Sequence, residues 1–313
     1  MIYILSCETI ENGGGIYAYG LAENGRLEKR AYFPCDRPMY AVKCKKGLCV
    51  LLRQPFEDSE NSGYFYIDEN LELTTEIKST QGKCACHLCV DNEDVFVVNY
   101  LSGNIVKNGE TISQRMGKSV NPTRQTESHT HFVGQTPDGY LAVCDLGTDA
   151  LVIYDKDLQF VFEVKVPDGY GIRHLMFSKD GKYIYAVNEL VPSISVFAYA
   201  NGKAELINTV KIECKNEKAN GAAIRLSDNG KYLYISLREE NTIRIFEVDE
   251  DKLTFLQKVD CGGNSPRDFD VCGNNLIVCN EKSGNVVVYH TANRLVTNKV
   301  AEISIKRALC VVK

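Results

Sequence analysis

The chain has five histidines, His87, His129, His131, His174 and His290, and the first four stand at, or within two residues of, the start of a short apolar run. Arg173 directly precedes His174, and Arg267 opens another such run. The runs that follow close on Asn188-Glu189, Leu237-Arg238 and Asn280-Glu281. Imidazole suits proton transfer near neutral pH, and guanidinium is a planar, permanently charged fork for carboxylate or phosphate. Together these residues describe a site for a small anionic substrate that undergoes proton transfer. Other chemistries lack their residues. Asn12-Gly-Gly-Gly15 has no Lys-Ser/Thr sequel and is a turn rather than a phosphate loop, and no Gly-x-Ser-x-Gly elbow is present. Cys84, Cys86, His87 and Cys89 suggest zinc but have no second ligand pair. Strand alternation puts Cys84 and Cys86 on one face and His87 and Cys89 on the other. Neither a metal nor a cofactor is expected.

The elements that must position these groups repeat. Val95–Tyr100, Tyr140–Asp145, Tyr183–Asn188, Tyr232–Leu237 and Asn275–Asn280 are five versions of one apolar run, and Leu48–Arg53 and Ile2–Cys7 are weaker copies. Asn99, Asp145, Asn188, Leu237 and Asn280 are separated by 46, 43, 49 and 43 residues. Turns such as Pro137-Asp-Gly139, Lys179-Asp-Gly181 and Asp228-Asn-Gly230 precede the runs, and second runs such as Ile194–Phe197 and Val286–Tyr289 follow them. Short β-branched and aromatic runs punctuated by Gly, Asn and Asp are strands. Four per unit of about 45 residues is the signature of a propeller blade. The chain therefore reads as one all-β domain over 1–313, a seven-bladed β-propeller with four antiparallel strands per blade. Arg307–Lys313 resembles a first strand, whereas the N-terminus begins at a second strand. The C-terminal strand is thus expected to join the N-terminal blade and close the ring without an open edge. In an antiparallel blade the first strand starts where the second ends, so all the candidate residues share one rim of the central channel.

Composition narrows the function classes. The 313 residues are 44% hydrophobic and 25% charged, with a net charge of −5 from 36 basic and 41 acidic side chains. These are globular values with no basic footprint for nucleic acid. No segment reaches the length of about 18 apolar residues that a membrane helix needs. Met1–Cys7 lacks the basic flank of a signal peptide. The thirteen cysteines, scattered through strand-like runs, read as small buried hydrophobes in a reducing compartment. A cytoplasmic protein is expected, a monomer or weak homo-oligomer, whose partner is a small anionic molecule rather than nucleic acid or membrane.

Five blocks carry a resemblance. They are Ser128-His-Thr-His-Phe132 with Pro137-Asp-Gly139 and Asp145–Asp149; Gly171-Ile-Arg-His-Leu175 with Val187-Asn-Glu-Leu190; Cys86-His-Leu with Asn99–Gly103; Ala222–Gly230; and Pro266-Arg-Asp-Phe269. In this order they are similar to the lactonase family of seven-bladed propellers, which includes bacterial 6-phosphogluconolactonases and fungal carboxy-muconate cyclases. The resemblance implies a cofactor-free lactone hydrolase of carbohydrate metabolism, acting on 6-phosphogluconolactone in the pentose phosphate pathway. An intramolecular lyase or cyclase on a muconate-type acid is the enzymatic alternative, and a non-catalytic propeller scaffold is the other. Carried over by motif, the catalytic residues are His131, Glu189, Arg173 and Arg267, with Arg225 and Arg238 as rivals of Arg267. Arg173 and Arg267 would clamp the anion, Glu189 or His131 would be the general base, and His174 or an arginine would stabilise the oxyanion. His87, His129, His174, Arg225 and Arg238 complete the expected substrate-binding set. Each has a structural alternative: arginines that tie blades together, a histidine that bridges them, and a Glu189–Arg173 salt bridge. Asp145 and Asp149 read as turn formers. Tyr183, Tyr185, Tyr232 and Tyr234 read as filling between blades. Cys84-Ala-Cys86 replaces a Gly-Pro-rich turn of the family, Leu237 replaces an expected Asn, and the first two blades match by period alone.

Overall fold

The computed structural model describes every residue, Met1–Lys313, as seven four-stranded antiparallel sheets arranged in a ring. In blades 2 to 7 the strands follow chain order outward from the channel. Their innermost strands are Pro38–Cys44, Ala85–Asp91, Thr130–Gln135, Ile172–Phe177, Asn220–Leu226 and Pro266–Cys272. Blade 1 takes its innermost strand from the other end of the chain. Ala308–Val312 pairs with Ile2–Ser6, placing Tyr3 opposite Val312 and Ile4 opposite Val311. The expected closure is therefore present, and the ring's last seam is held by main-chain hydrogen bonds.

The sequence pattern sets the layers. The second strands Ile2–Ser6, Leu141–Asp145 and Asn275–Asn280 are buried throughout and apolar except at their ends, because blades cover both of their faces. Outer strands such as Lys252–Asp260 are mostly exposed and carry the charge. Seven hydrophobic clusters result, one between each pair of adjacent blades. Tyr185 and Tyr234 are fully buried in two of them. Their hydroxyls donate to the Glu250 and Arg294 carbonyls at 2.7 Å, which explains tyrosine rather than phenylalanine there. All thirteen cysteines are free, and Cys49, Cys144, Cys279 and Cys310 lie in the core.

Candidate active site at the channel mouth

Every innermost strand carries a one-residue bulge at the same level, close to its first residue. The pairing slips at Thr130/Phe132, Ile172/His174, Pro266/Asp268, Ala85/His87, Pro38/Tyr40, Ala308/Cys310 and Gly221/Ile224. A bulge re-aims side chains that simple alternation would send to opposite faces. Arg173 and His174 therefore both line the channel, as do Arg267 and Asp268, and Cys86 and His87. This corrects the two-face reading of the cysteine cluster. Cys84 stands before the strand in a left-handed conformation, and the bulge at Cys86 brings Cys86 and His87 to the same side.

The second strands place the other half of the rim. In six of the seven blades the residue just past the second strand donates its N–H to the carbonyl of the residue before the innermost strand, among them Glu189 to Gly171 at 2.7 Å, Glu281 to Ser265 at 2.9 Å, Tyr100 to Cys84 at 3.0 Å and Arg53 to Arg37 at 3.1 Å. Gly171 is required here. It has φ of +67°, and a Cβ would lie 2.7 Å from the Leu190 side chain. The bulged and post-strand residues together enclose a cavity of about 380 Å³ at the mouth.

Glu189 is the hub of that cavity. Its buried carboxylate receives Arg173 Nε at 3.0 Å, Arg238 Nη2 at 3.0 Å and Arg124 Nη2 at 2.5 Å. Burial opposes its charge, but Arg238, Arg173 and Arg124 outweigh burial and hold the carboxyl well below its usual range. Glu189 is thus a fixed anion that positions guanidiniums, and of the two expected bases it is the poorer. His131 is the opposite case. Burial and then the Arg173 charge push it well below the ordinary histidine value, against the pull of Glu189. It faces the cavity as a neutral imidazole able to accept a proton, with its ring edge-on to Tyr100 at 5.6 Å.

The arginines at the mouth outnumber their partners. Arg53, Arg124, Arg238, Arg267 and Arg307 line the cavity against two carboxylates, Glu189 and Glu281. Arg267 reaches Glu281 only at 4.0 Å and Arg307 only at 3.9 Å. The Arg238 Nε is buried without a partner. Arg173, which also donates to the Ala222 carbonyl, is lowered to about 9 by burial and by Arg267 and Arg238, so it remains charged at neutral pH. The cavity therefore carries a surplus of positive charge.

The structure separates the expected residues. His131, Glu189, Arg173, Arg267 and Arg238 come together at the mouth. His87 and His174 lie one level deeper in the channel, 5.3 Å apart between ring centroids. Two expected substrate contacts are corrected. Arg225 lines neither level; its Nη2 bonds Asp268 Oδ1 at 2.6 Å, and its charge is already matched. His129 packs behind the rim, stacked on Tyr100 at 4.4 Å with Nδ1 2.9 Å from the Tyr100 carbonyl. Asp145 and Asp149 form turns as expected. Asp145 accepts from the Gly147 and His129 N–H groups, and Asp149 from those of Gly169 and Gly171. Arg53, Arg124, Tyr100 and Arg307 were not anticipated. Arg53 occupies the blade 2 position equivalent to Glu189, which the weak second repeat obscured. Arg124 comes from the 115–129 connection, which lies outside the repeat.

The comparisons agree with this fold. The sequence matches the family described as "Lactonase, 7-bladed beta-propeller" over residues 2–313. The chain belongs to that lactonase family. An uncharacterized protein of Staphylococcus aureus (strain bovine RF122 / ET3-1) is 30% identical over 307 residues, covering 90% of this chain and 89% of the relative. A Lactobacillus plantarum structure superposes with a TM-score of 0.90 at 26% identity, over 99% of this chain and 98% of that one. A Bacteroides fragilis structure, provisionally named 6-phosphogluconolactonase, gives 0.89 at 25% identity, over 99% and 96%. For a lactonase-family propeller, a cationic mouth around a neutral histidine is the feature that bears on substrate.

Proposed function

We propose that the protein hydrolyses an anionic sugar lactone, with 6-phosphogluconolactone as the substrate its mouth suits best. The observation that carries this reading is the surplus of arginines around a neutral imidazole. Arg267, held only loosely by Glu281, is free to grip a phosphate, with Arg53 and Arg307 beside it. His131 takes a proton from water as its oxygen attacks the lactone carbonyl. Arg173 and Arg238, fixed by Glu189, offer positive charge to the oxyanion that forms. The adduct then expels the ring oxygen, which recovers the proton from His131, and 6-phosphogluconate is released. Such a substrate places the protein in cytoplasmic sugar-phosphate metabolism. The test is hydrolysis of fresh 6-phosphogluconolactone with the spontaneous rate subtracted, beside unphosphorylated gluconolactone. Faster turnover of the phosphorylated lactone is expected. A rate equal to the blank for both lactones overturns the reading.

A further inference from the structure

Beneath the mouth the channel continues into a second, smaller chamber. Met39, Cys86, His131, Arg267 and Leu309 border both spaces, so His131 stands at the junction. The lower chamber measures about 30 Å³. A water needs about 10–15 Å³ measured in the same way, so one or two waters fit, whereas a sugar does not. Its walls are polar enough to hold them. His87, His174 and Asp268 line it, and the His87 Nε2 is buried with no protein partner. The His87 ring is fixed between Tyr40, at 4.2 Å, and Phe132, at 4.4 Å, and its Nδ1 accepts the Val133 N–H. Burial, and after it the Arg225 charge, push both His87 and His174 well below the ordinary histidine range. Both are neutral, and because the His87 Nδ1 accepts the Val133 N–H, its Nε2 carries the ring proton and can donate it to the oxygen of a water.

We propose that this chamber stores the nucleophilic water and delivers it past His131 from the channel side, while the substrate enters from the mouth. The proposal rests on the hydrolytic reading above. Water and substrate then approach His131 from opposite directions, so binding the lactone does not displace the reactant it needs. The water oxygen bonds to the carbonyl carbon while His131 removes one of its protons. The ring C–O bond breaks, and the same proton passes to the departing ring oxygen. His87 and His174 are positioning residues in this scheme.

Ala223 forms part of the chamber wall, and Ala223→Leu adds three heavy atoms there. His87→Phe keeps the ring shape and removes the unpartnered nitrogen, so it serves if the first variant fails to fold. Each variant is assayed for kcat and KM with 6-phosphogluconolactone and for 6-phosphogluconate affinity by calorimetry. The expected result is a fall in kcat of about tenfold or more, with KM and product affinity within about twofold of wild type. A purely structural defect would instead move affinity and stability along with kcat. Unchanged kcat in a folded variant of an active enzyme overturns the chamber alone. An inactive wild type overturns the hydrolytic reading, and the chamber proposal falls with it.

Discussion

Two arginines on neighbouring innermost strands, Arg173 buried and Arg225 partly exposed, show two ways in which a channel charge is matched. Arg225 bonds Asp268 at 2.6 Å, and the other carboxylate oxygen of Asp268 accepts the Val311 N–H from the innermost strand of blade 1. Despite burial, Asp268 and its neighbours raise the Arg225 pKa above the ordinary arginine value. Arg173 is the more buried of the two but shares Glu189 with Arg238 and Arg124, beside Arg267, and its pKa falls to about 9. Both stand on the innermost strand of their blade and burial opposes both charges, yet the shifts are opposite. The difference is the local ratio of cation to anion. A closed pair ties blades together, whereas an open cluster leaves charge for a substrate to neutralise.

The largest effect expected belongs to the open region. His131→Ala should lower kcat for lactone hydrolysis by about 10²–10⁴-fold, the usual contribution of a positioned general base. Steady-state assays check this, and a loss below tenfold would move the base elsewhere. In the closed region, Arg225→Ala should cost about 3–5 kcal/mol of folding stability, because it leaves Asp268 buried and unpaired. Denaturant unfolding measures that cost, and stability equal to wild type would break the contrast.

Acid should weaken the channel as well. His87, His131 and His174 are held neutral in the fold, whereas the unfolded chain binds their protons below about pH 6.5. Their depressed values make stability fall as pH drops below that point, by up to about 1.4 kcal/mol per histidine per pH unit. Thermal unfolding between pH 7.5 and 5.5 reads this. Because His131 stays neutral in the folded protein, kcat/KM should remain flat to well below pH 6.5 in the native form. A decline centred at that value would show an unperturbed imidazole. The smallest effect is that of salt. Raising ionic strength should weaken product binding a few-fold by screening the exposed Arg53 and the loosely paired Arg267, while leaving the close Arg225–Asp268 pair intact.

The ring, its closure and the rim that gathers the candidate residues were legible because blades repeat. Period and strand direction alone place His131, Arg173, Glu189, Arg238 and Arg267 at one mouth. The bulges were not legible, since no residue pattern marks them. Alternation therefore misassigned Cys86 and His87 to opposite faces. Nor could the sequence separate Arg225 from its neighbours, because its partner, Asp268, lies on the next blade 43 residues away. Arg124 was invisible for a related reason. Its loop sits outside the repeat and is fixed by Gln125, which bonds the Leu146 carbonyl and the Asp149 carboxylate.

The most direct test of the contrast is calorimetric binding of 6-phosphogluconate to wild type, Arg267→Ala and Arg225→Ala at low salt. The open-cluster account predicts that wild type binds, that Arg267→Ala loses about thirty-fold, or about 2 kcal/mol, and that folded Arg225→Ala binds as wild type does. Equal losses in the two variants, or no binding to wild type, would contradict it.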